Sequence, residues 1–540
     1  MASLLFLQLS LIIASLIPTM LIVSAMFVSR RSPFGAAAKA TVIIVELSVM
    51  AVTLRGLSFV ARIARGYEGA EDSKLTEAVR SVVRLEIVSC AMLVLVCTLA
   101  VVVVRYSQTY LAGEPGLVRY SRSLLLTLAA VTILVISNHL GLLVAAWFGT
   151  GIGLHQLLTF YRSRRQAVIV AHKEFLLSRI ADLCFLGSLV LVHEQTGSLH
   201  IDVINAFAEA ETTLSPSLHL ATVLLVFGVL LKSAQIPFHG WMQQVMEAPT
   251  PVSALLHAGV VNIGGFVMIR LAPLMAKATL AQDILLGVGL VTAIVGSLVM
   301  TMRVSVKIML AWSTIAQMGF MLVQCGLGVW HLALLHLLAH SLYKAHSFLS
   351  AGSVVENYRS ASIVRAAPPT LRSMAVAAGI LSIGALPVCI AFVLSPLHAT
   401  PSLAPLALAL LLSFVPVMAR AIVAGKSTMK LATLSIVGAT FVYFAWHALF
   451  DVVASEIDAG TQSPFRWFIV VVGLVILFVA QTIVQTSPGG RLARLLRPHL
   501  FSGFYIDEWF TRMTFRLWPP RLDRAATARR SAVSITREAR

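Results

Sequence analysis

Lysine and histidine stand within long apolar runs at Lys232, His257 and Lys307, then at His336, His340 and Lys344, four residues apart each time. Steps of four put the last three on one face of a helix. An ionisable side chain at the centre of a membrane helix costs about 2.5–3.5 kcal/mol, so it marks a functional site unless a partner accounts for it. Burial disfavours the charged form of lysine, and histidine titrates near neutral pH. A file of such groups bridged by water can hand protons sideways through a membrane. The plainer alternative is that each pairs with a carboxylate or a carbonyl and pins helices together. Arg179 and Asp182, three residues apart, can make one such pair, and Glu46 with Lys39 lies in an earlier run.

Metal chemistry is a weaker reading of the same residues. His336 and His340 have the spacing of a zinc pair. Leu337, Leu338 and Ala339 between them lack the glutamate of the H-E-x-x-H motif. No third ligand is evident, and Lys344 on the same face would repel a cation. The five cysteines all sit in apolar stretches without a C-x-x-C pair, as small buried hydrophobes do. Neither a metal nor a cofactor is expected in this chain.

The elements that must hold these groups follow from composition. Of 540 residues, 58% are hydrophobic and 12% charged, and the mean hydropathy is +0.89. Soluble domains carry about 25% charged residues. A chain with half that charge and no polar linkers is neither a cytosolic enzyme, a disordered protein nor a disulfide scaffold. It reads as an all-α polytopic membrane protein.

A span needs about 20 mainly apolar residues. Candidates fall at roughly 4–28, 38–60, 85–104, 122–140, 140–160, 170–193, 217–246, 250–274, 280–301, 304–325, 331–355, 372–395, 401–424, 428–452 and 466–486. That is about 15 by the length criterion, or 14 to 15 membrane helices. The seventh is interrupted at Gln235-Ile236-Pro237, because proline removes a backbone donor. The twelfth carries Pro387 and ends near Pro396, so a second break is expected there. Broken helices at membrane depth line cavities and mark transport paths.

The net charge of +18 is placed as a topology signal and not as a nucleic-acid surface. Arg30-Arg31, Arg119/Arg122, Arg162–Arg165, Arg359/Arg365/Arg372 and Arg420/Lys426/Lys430 follow spans 1, 3, 5, 11 and 13. The loop after span 6 carries Glu194, Asp202, Glu209 and Glu211 with no Lys or Arg. The positive-inside rule then puts the N-terminus outside and the C-terminal tail in the cytoplasm. Residues 1–490 form the transmembrane domain and 491–540 an Arg-rich tail, which holds eleven arginines, no lysine and four acids. That tail suits anionic lipid or a partner protein.

Three blocks carry a family resemblance. They are Lys232-Ser-Ala-Gln-Ile-Pro-Phe-His-Gly-Trp241 with Ala248-Pro-Thr-Pro-Val-Ser-Ala-Leu-Leu-His257, Lys307 to Gly319, and His336 to Ser353. Together they resemble the antiporter-like subunits of respiratory complex I and of multisubunit Na+/H+ antiporters. The resemblance implies about 14 helices in two inverted repeats, each with one broken helix. It also implies a polar axis through Lys232, His257, Lys307, His336, His340 and Lys344. Arg179, Asp182 and Glu247 are read beside it as supporting or paired positions. Two positions depart from the family pattern. A Trp-Glu pair in span 5 normally supplies the carboxylate for the span 7 lysine, and here it reads Trp147-Phe148. The family lysine of span 12 is absent from Ile390-Ala-Phe-Val-Leu-Ser-Pro396. His155 lies seven residues past Phe148, on roughly the same face. It either takes over part of the lost carboxylate's role or is simply a histidine near the end of its span.

Smaller details narrow the branch. The run His257 to Pro273, Leu154-His155-Gln-Leu-Leu-Thr-Phe-Tyr161 and Gly503-Phe-Tyr-Ile-Asp-Glu-Trp-Phe-Thr-Arg512 resemble the membrane subunits of bacterial DAB inorganic-carbon accumulation complexes. That likeness implies a non-enzymatic subunit that conducts a cation, H+ in the first place. Its cytoplasmic partner would be a DabA-like zinc protein, similar to carbonic anhydrase, that hydrates CO2 to bicarbonate, so zinc is expected in the partner. Two other readings stay open: a subunit of complex I or of a Na+/H+ antiporter, and a non-conducting membrane anchor.

Overall fold

The computed structural model describes residues 2–63, 74–162, 164–353, 369–393, 403–453, 463–487 and 489–518. Its regular elements are helices, apart from isolated bridges at Val83–Ser137 and His139–His200. In chain order they are α1 (Ala2–Met26), α2 (Gly35–Ile63), α3 (Lys74–Val82), α4 (Ile87–Tyr110), α5 (Leu117–Ile136), α6 (Leu140–Leu158), α7 (Arg165–Thr196) and α8 (Ile201–Ala210). There follow α9 (Pro216–Lys232), α10 (Gly240–Gln244), α11 (Thr250–Ala258), α12 (Ile263–Arg270), α13 (Ala272–Lys277), α14 (Thr279–Met300), α15 (Val306–Gly326) and α16 (Trp330–Leu349). The remainder are α17 (Leu371–Val393), α18 (Leu403–Ala424), α19 (Lys426–Val453), α20 (Pro464–Thr486), α21 (Arg491–Phe501) and α22 (Ile506–Leu517).

Ten helices among the described residues are long and apolar enough to cross a membrane, and three shorter apolar ones include α9. The sequence reading counts about 15 over the whole chain, and two of those candidates fall short among the described residues for physical reasons. The seventh candidate is divided into α9 and α10 at its proline. The α16 helix carries His331, His336, His340, His346 and Lys344, which dilute its apolar character. The eighth candidate is counted among the ten but is interrupted: a 3-10 turn at Val260–Asn262 separates α11 from α12. No proline announces that kink, which falls after Gly259 at φ −124, ψ −72. The break expected at Pro387 is not found, because α17 runs on to Val393. Pro396 lies outside the described residues, as do Arg359, Arg365 and the tail beyond 518.

The chain divides into two compact units. The first comprises Met1–Ala281, Leu337–Leu349 and the segment from Ile506 onward. Its α7–α9 packing is close because Gly228 faces the Phe185 ring, where a Cβ would collide. Small residues let membrane helices approach in this way. Arg270, 2% exposed, ties loop ends together: it pairs with Glu86 (2.8 Å) and donates to Val135 O (3.1 Å) and Ser137 O (2.7 Å). The second unit comprises Gln282–His336 and Ser350–Tyr505. One core there joins α14, α15 and α20 through Leu286, Leu290, Val323, Trp467 and Val470. Another joins α17, α18 and α19 through Met374, Val415, Met418 and Ile436.

Candidate functional site

The α9 helix ends inside the protein on Lys232, and Ser233 caps it by donating its N–H to Val229 O (2.8 Å). The chain then turns through Ala234, at φ +52, and Pro237. Gln235 closes the turn, its backbone N–H donating to Leu230 O (3.2 Å) and its side-chain amide to Ser233 O (2.9 Å). A helix C-terminus carries partial negative charge, which favours an ammonium placed there. Lys232 Nζ donates to Trp147 O (3.4 Å) and lies 5.2 and 5.8 Å from the Trp147 and Phe185 ring centroids.

Its counter-charge comes from α7. Asp182 Oδ1 is 2.8 Å from Lys232 Nζ, and Asp182 Oδ2 is 2.9 Å from an Arg179 Nη. One buried carboxylate therefore bridges two cations. The Arg179 guanidinium lies 3.9 Å from the Phe148 centroid and 4.8 Å from the Phe175 centroid, within cation–π range. Phe148, at the position where the family pattern has glutamate, is thus a stacking surface for the arginine. The missing span 5 carboxylate does not leave Lys232 without an acid, because the next helix supplies one.

A second acid stands nearby that sequence reasoning missed. Glu174 is 3% exposed and lies eight residues before Asp182. Glu174, Ser178 and Asp182 are four apart, so they share a face of α7. Ser178 Oγ donates to Glu174 Oε1 (2.7 Å), while Glu174 Oε2 has no hydrogen-bond partner. Glu174 acts electrostatically on Lys232, Arg179 and Asp182. The rule that flagged Lys232 reaches Glu174 too, since it sits in the apolar run of span 6. A small cavity of about 20 Å³ is lined by Trp147, Glu174, Ser178, Lys232 and Trp241 among others.

The other predicted residues fall into separate settings. In the first unit His257, 1% exposed, stacks on Phe348 (4.2 Å) within electrostatic reach of the fully buried Lys344. His340 is buried on the same stretch of α16, which Asn262 anchors by donating to Ser341 Oγ (2.7 Å). In the second unit His336 shares a 2.9 Å hydrogen bond with Gln324 Oε1, and Lys307 is partly exposed in the first turn of α15. Glu247 faces Arg164 (3.8 Å), and both are well exposed. Lys39 and Glu46 lie on the outward face of α2. His155 Nδ1 bonds Ala171 O (3.1 Å), and its ring packs against His172, Trp518 and Phe175, the ring that Arg179 also faces.

The C-terminal α22 docks against α7 and α10. Asp507 takes hydrogen bonds from the fully buried Lys173 (2.9 and 3.0 Å) and from Gln244 (2.8 Å). The Trp518 ring stacks on His172 at 3.9 Å. Gly240 is required at this contact, because a Cβ there would meet the Asp507 carboxylate.

A helix broken beside a buried lysine–carboxylate site, in a chain of membrane-spanning helices, defines an antiporter-like membrane subunit. Residues 137–398 match the NADH:quinone oxidoreductase/Mrp antiporter transmembrane family. The inorganic carbon transporter subunit DabB of Hydrogenovibrio crunogenus is 39% identical over 442 residues, which cover 80% of this chain and 83% of that one. DabB2 of Halothiobacillus neapolitanus is 39% identical over 435 residues, 78% of each chain. In the Mrp complex of a Dietzia species, the matching chain shares the fold, with TM-score 0.55 and 21% identity over all of this chain and 60% of its own length. The chain belongs to the DabB family of antiporter-like membrane subunits.

Proposed function

We propose that this chain conducts H+ through the bacterial inner membrane and couples that flow to inorganic-carbon uptake. The observation that carries the reading is the buried Lys232–Asp182–Arg179 cluster at the end of a broken helix. A purely structural pin there could be apolar: replacing a buried ion pair with hydrophobic residues is often neutral or stabilising. Retaining the charges at membrane depth is what an ion path requires. Lys232, His257, His340 and Lys344 in the first unit, with Lys307 and His336 in the second, are the candidate carriers, and His155 and Glu247 are supporting positions. The subunit is no enzyme by itself. Its partner in this reading is a DabA-like zinc protein on the cytoplasmic face, which converts CO2 to bicarbonate in one direction while H+ moves downhill. The Arg-rich segment from 491 onward faces that partner or anionic lipid, with the N-terminus in the periplasm.

The test is purification of the tagged chain from its own host in mild detergent, with mass spectrometry and a zinc assay on what copurifies. One large zinc-bearing partner in near-equal amount is expected, together with loss of growth in air without added CO2 when Lys232→Ala is introduced. A set of redox or antiporter subunits in its place would overturn the carbon assignment. Normal growth of the Lys232→Ala strain would leave only a membrane anchor.

A further inference from the structure

The Lys232 site has a charge balance that singles out Glu174. Lys232 and Arg179 carry two positive charges, and Asp182 already bridges both. With Asp182 alone the cluster would hold one uncompensated positive charge in a low-dielectric interior, which is costly. An ionised Glu174 brings the sum to zero. Moving one proton from Lys232 Nζ to Glu174 Oε2 also leaves the sum at zero, since a neutral amine and a neutral acid then stand beside the intact Arg179–Asp182 pair. Both proton positions are thus free of net buried charge, so neither state bears that cost.

The geometry fits such an exchange. Glu174 is held by one oxygen only, through Ser178 Oγ at 2.7 Å, and its Oε2 is buried without a hydrogen-bond partner. The cavity of about 20 Å³ is lined by both Glu174 and Lys232. A space of that size admits one water when polar groups line it. Trp241 Nε1, another buried polar atom without a hydrogen-bond partner, belongs to a residue of the same wall. The face of α7 sets the order Asp182, Ser178, Glu174 along about 12 Å of helix.

We propose that Glu174 is the proton-exchanging carboxylate of this ion site: it takes the proton that leaves Lys232 and returns it, through one water in the cavity they share. The Lys232 N–H bond breaks and a water O–H forms, while that water releases another proton to Glu174 Oε2. No electrons are transferred and no co-reactant is needed. Asp182 keeps its contact with Arg179. The role rests on the conduction reading above, and the two can fail separately.

The experiment uses the intact complex. Glu174→Gln keeps the size of the side chain and its bond to Ser178 but cannot exchange a proton. Transport in cells is expected to fall by about a hundredfold, the scale on which a lost proton-transfer group acts, with unchanged yield of the complex. Glu174→Asp is expected to restore part of the activity with a displaced pH profile, which a merely structural role would not produce. Dicyclohexylcarbodiimide, which attacks protonated carboxyl groups in membranes, is expected to label the Glu174 peptide of the wild-type complex and to block transport. If Lys232→Ala stops transport while Glu174→Gln keeps wild-type rates, the Glu174 role is overturned and conduction stands. If Glu174→Gln fails to accumulate, the labelling decides: an unlabelled Glu174 in an inhibited complex overturns the role. Normal transport by Lys232→Ala overturns the conduction reading itself.

Discussion

The two units treat buried charge in opposite ways. The first concentrates it: Lys232, Arg179, Asp182 and Glu174 form a balanced cluster beside a broken helix, and Lys173 with Asp507 forms another buried contact. In the second, His336 is met by the neutral amide of Gln324, and Lys307 stands partly exposed at a helix start. Its Arg466–Asp283 pair, at 2.7 Å, has a carboxylate that is 58% exposed. Its close packing comes from apolar cores and from glycines such as Gly289 and Gly319, where a Cβ would strike the facing backbone. Among the described residues, the first unit carries more buried charge and the second more close apolar and glycine packing.

The largest expected effect is that of Lys232→Ala, which removes the ammonium that answers Asp182. Uptake of labelled CO2 should drop to the level of a strain without the gene. Asp182→Asn comes next. It leaves Lys232 and Arg179 with one acid fewer, and breaking a buried pair costs about 3–5 kcal/mol. The purified complex should melt earlier in a thermal scan, and a melting point equal to wild type would remove Asp182 from the site. Gly240→Ala probes the α10–α22 contact through the collision with Asp507. Overpacking costs about 1–3 kcal/mol, and the expected sign is faster proteolytic release of the C-terminal segment with the membrane body intact. The smallest effect belongs to the second unit. Lys307→Gln should slow uptake less than about fivefold, the scale of a partly exposed charge worth up to 1 kcal/mol. A loss as complete as that of Lys232→Ala would erase the contrast between the units.

Much of the helix order was legible from apolar run length alone. The limits of α6, α14, α15 and α20 lie within a few residues of the sequence reading, because a span of fixed thickness imposes its own length. The break after Lys232 was legible from Pro237. The kink after His257 was not, because a glycine at ordinary φ leaves no signal in composition. The unbroken helical course of α17 through Pro387 contradicts the expected break. The amphipathic helices α3, α8, α21 and α22 are too short and too polar for a span criterion, and α22 proves to hold Asp507 against Lys173.

For the site itself, residue type and membrane depth were sufficient to single out Lys232 and the Arg179–Asp182 pair, since a charge in an apolar run must be used or compensated. Partner choice was decided only by tertiary packing. The loss of a glutamate at Phe148 suggested a lysine without its acid and drew attention to His155. The contact of α7 with α9 put Asp182 against Lys232, turned Phe148 into a platform for Arg179, and set His155 beside Trp518. Spacing along one helix tells which residues share a face, but not which neighbouring helix that face meets. The counter-charge here crosses between helices, so one-dimensional pattern could show that an acid was needed and not which acid would answer.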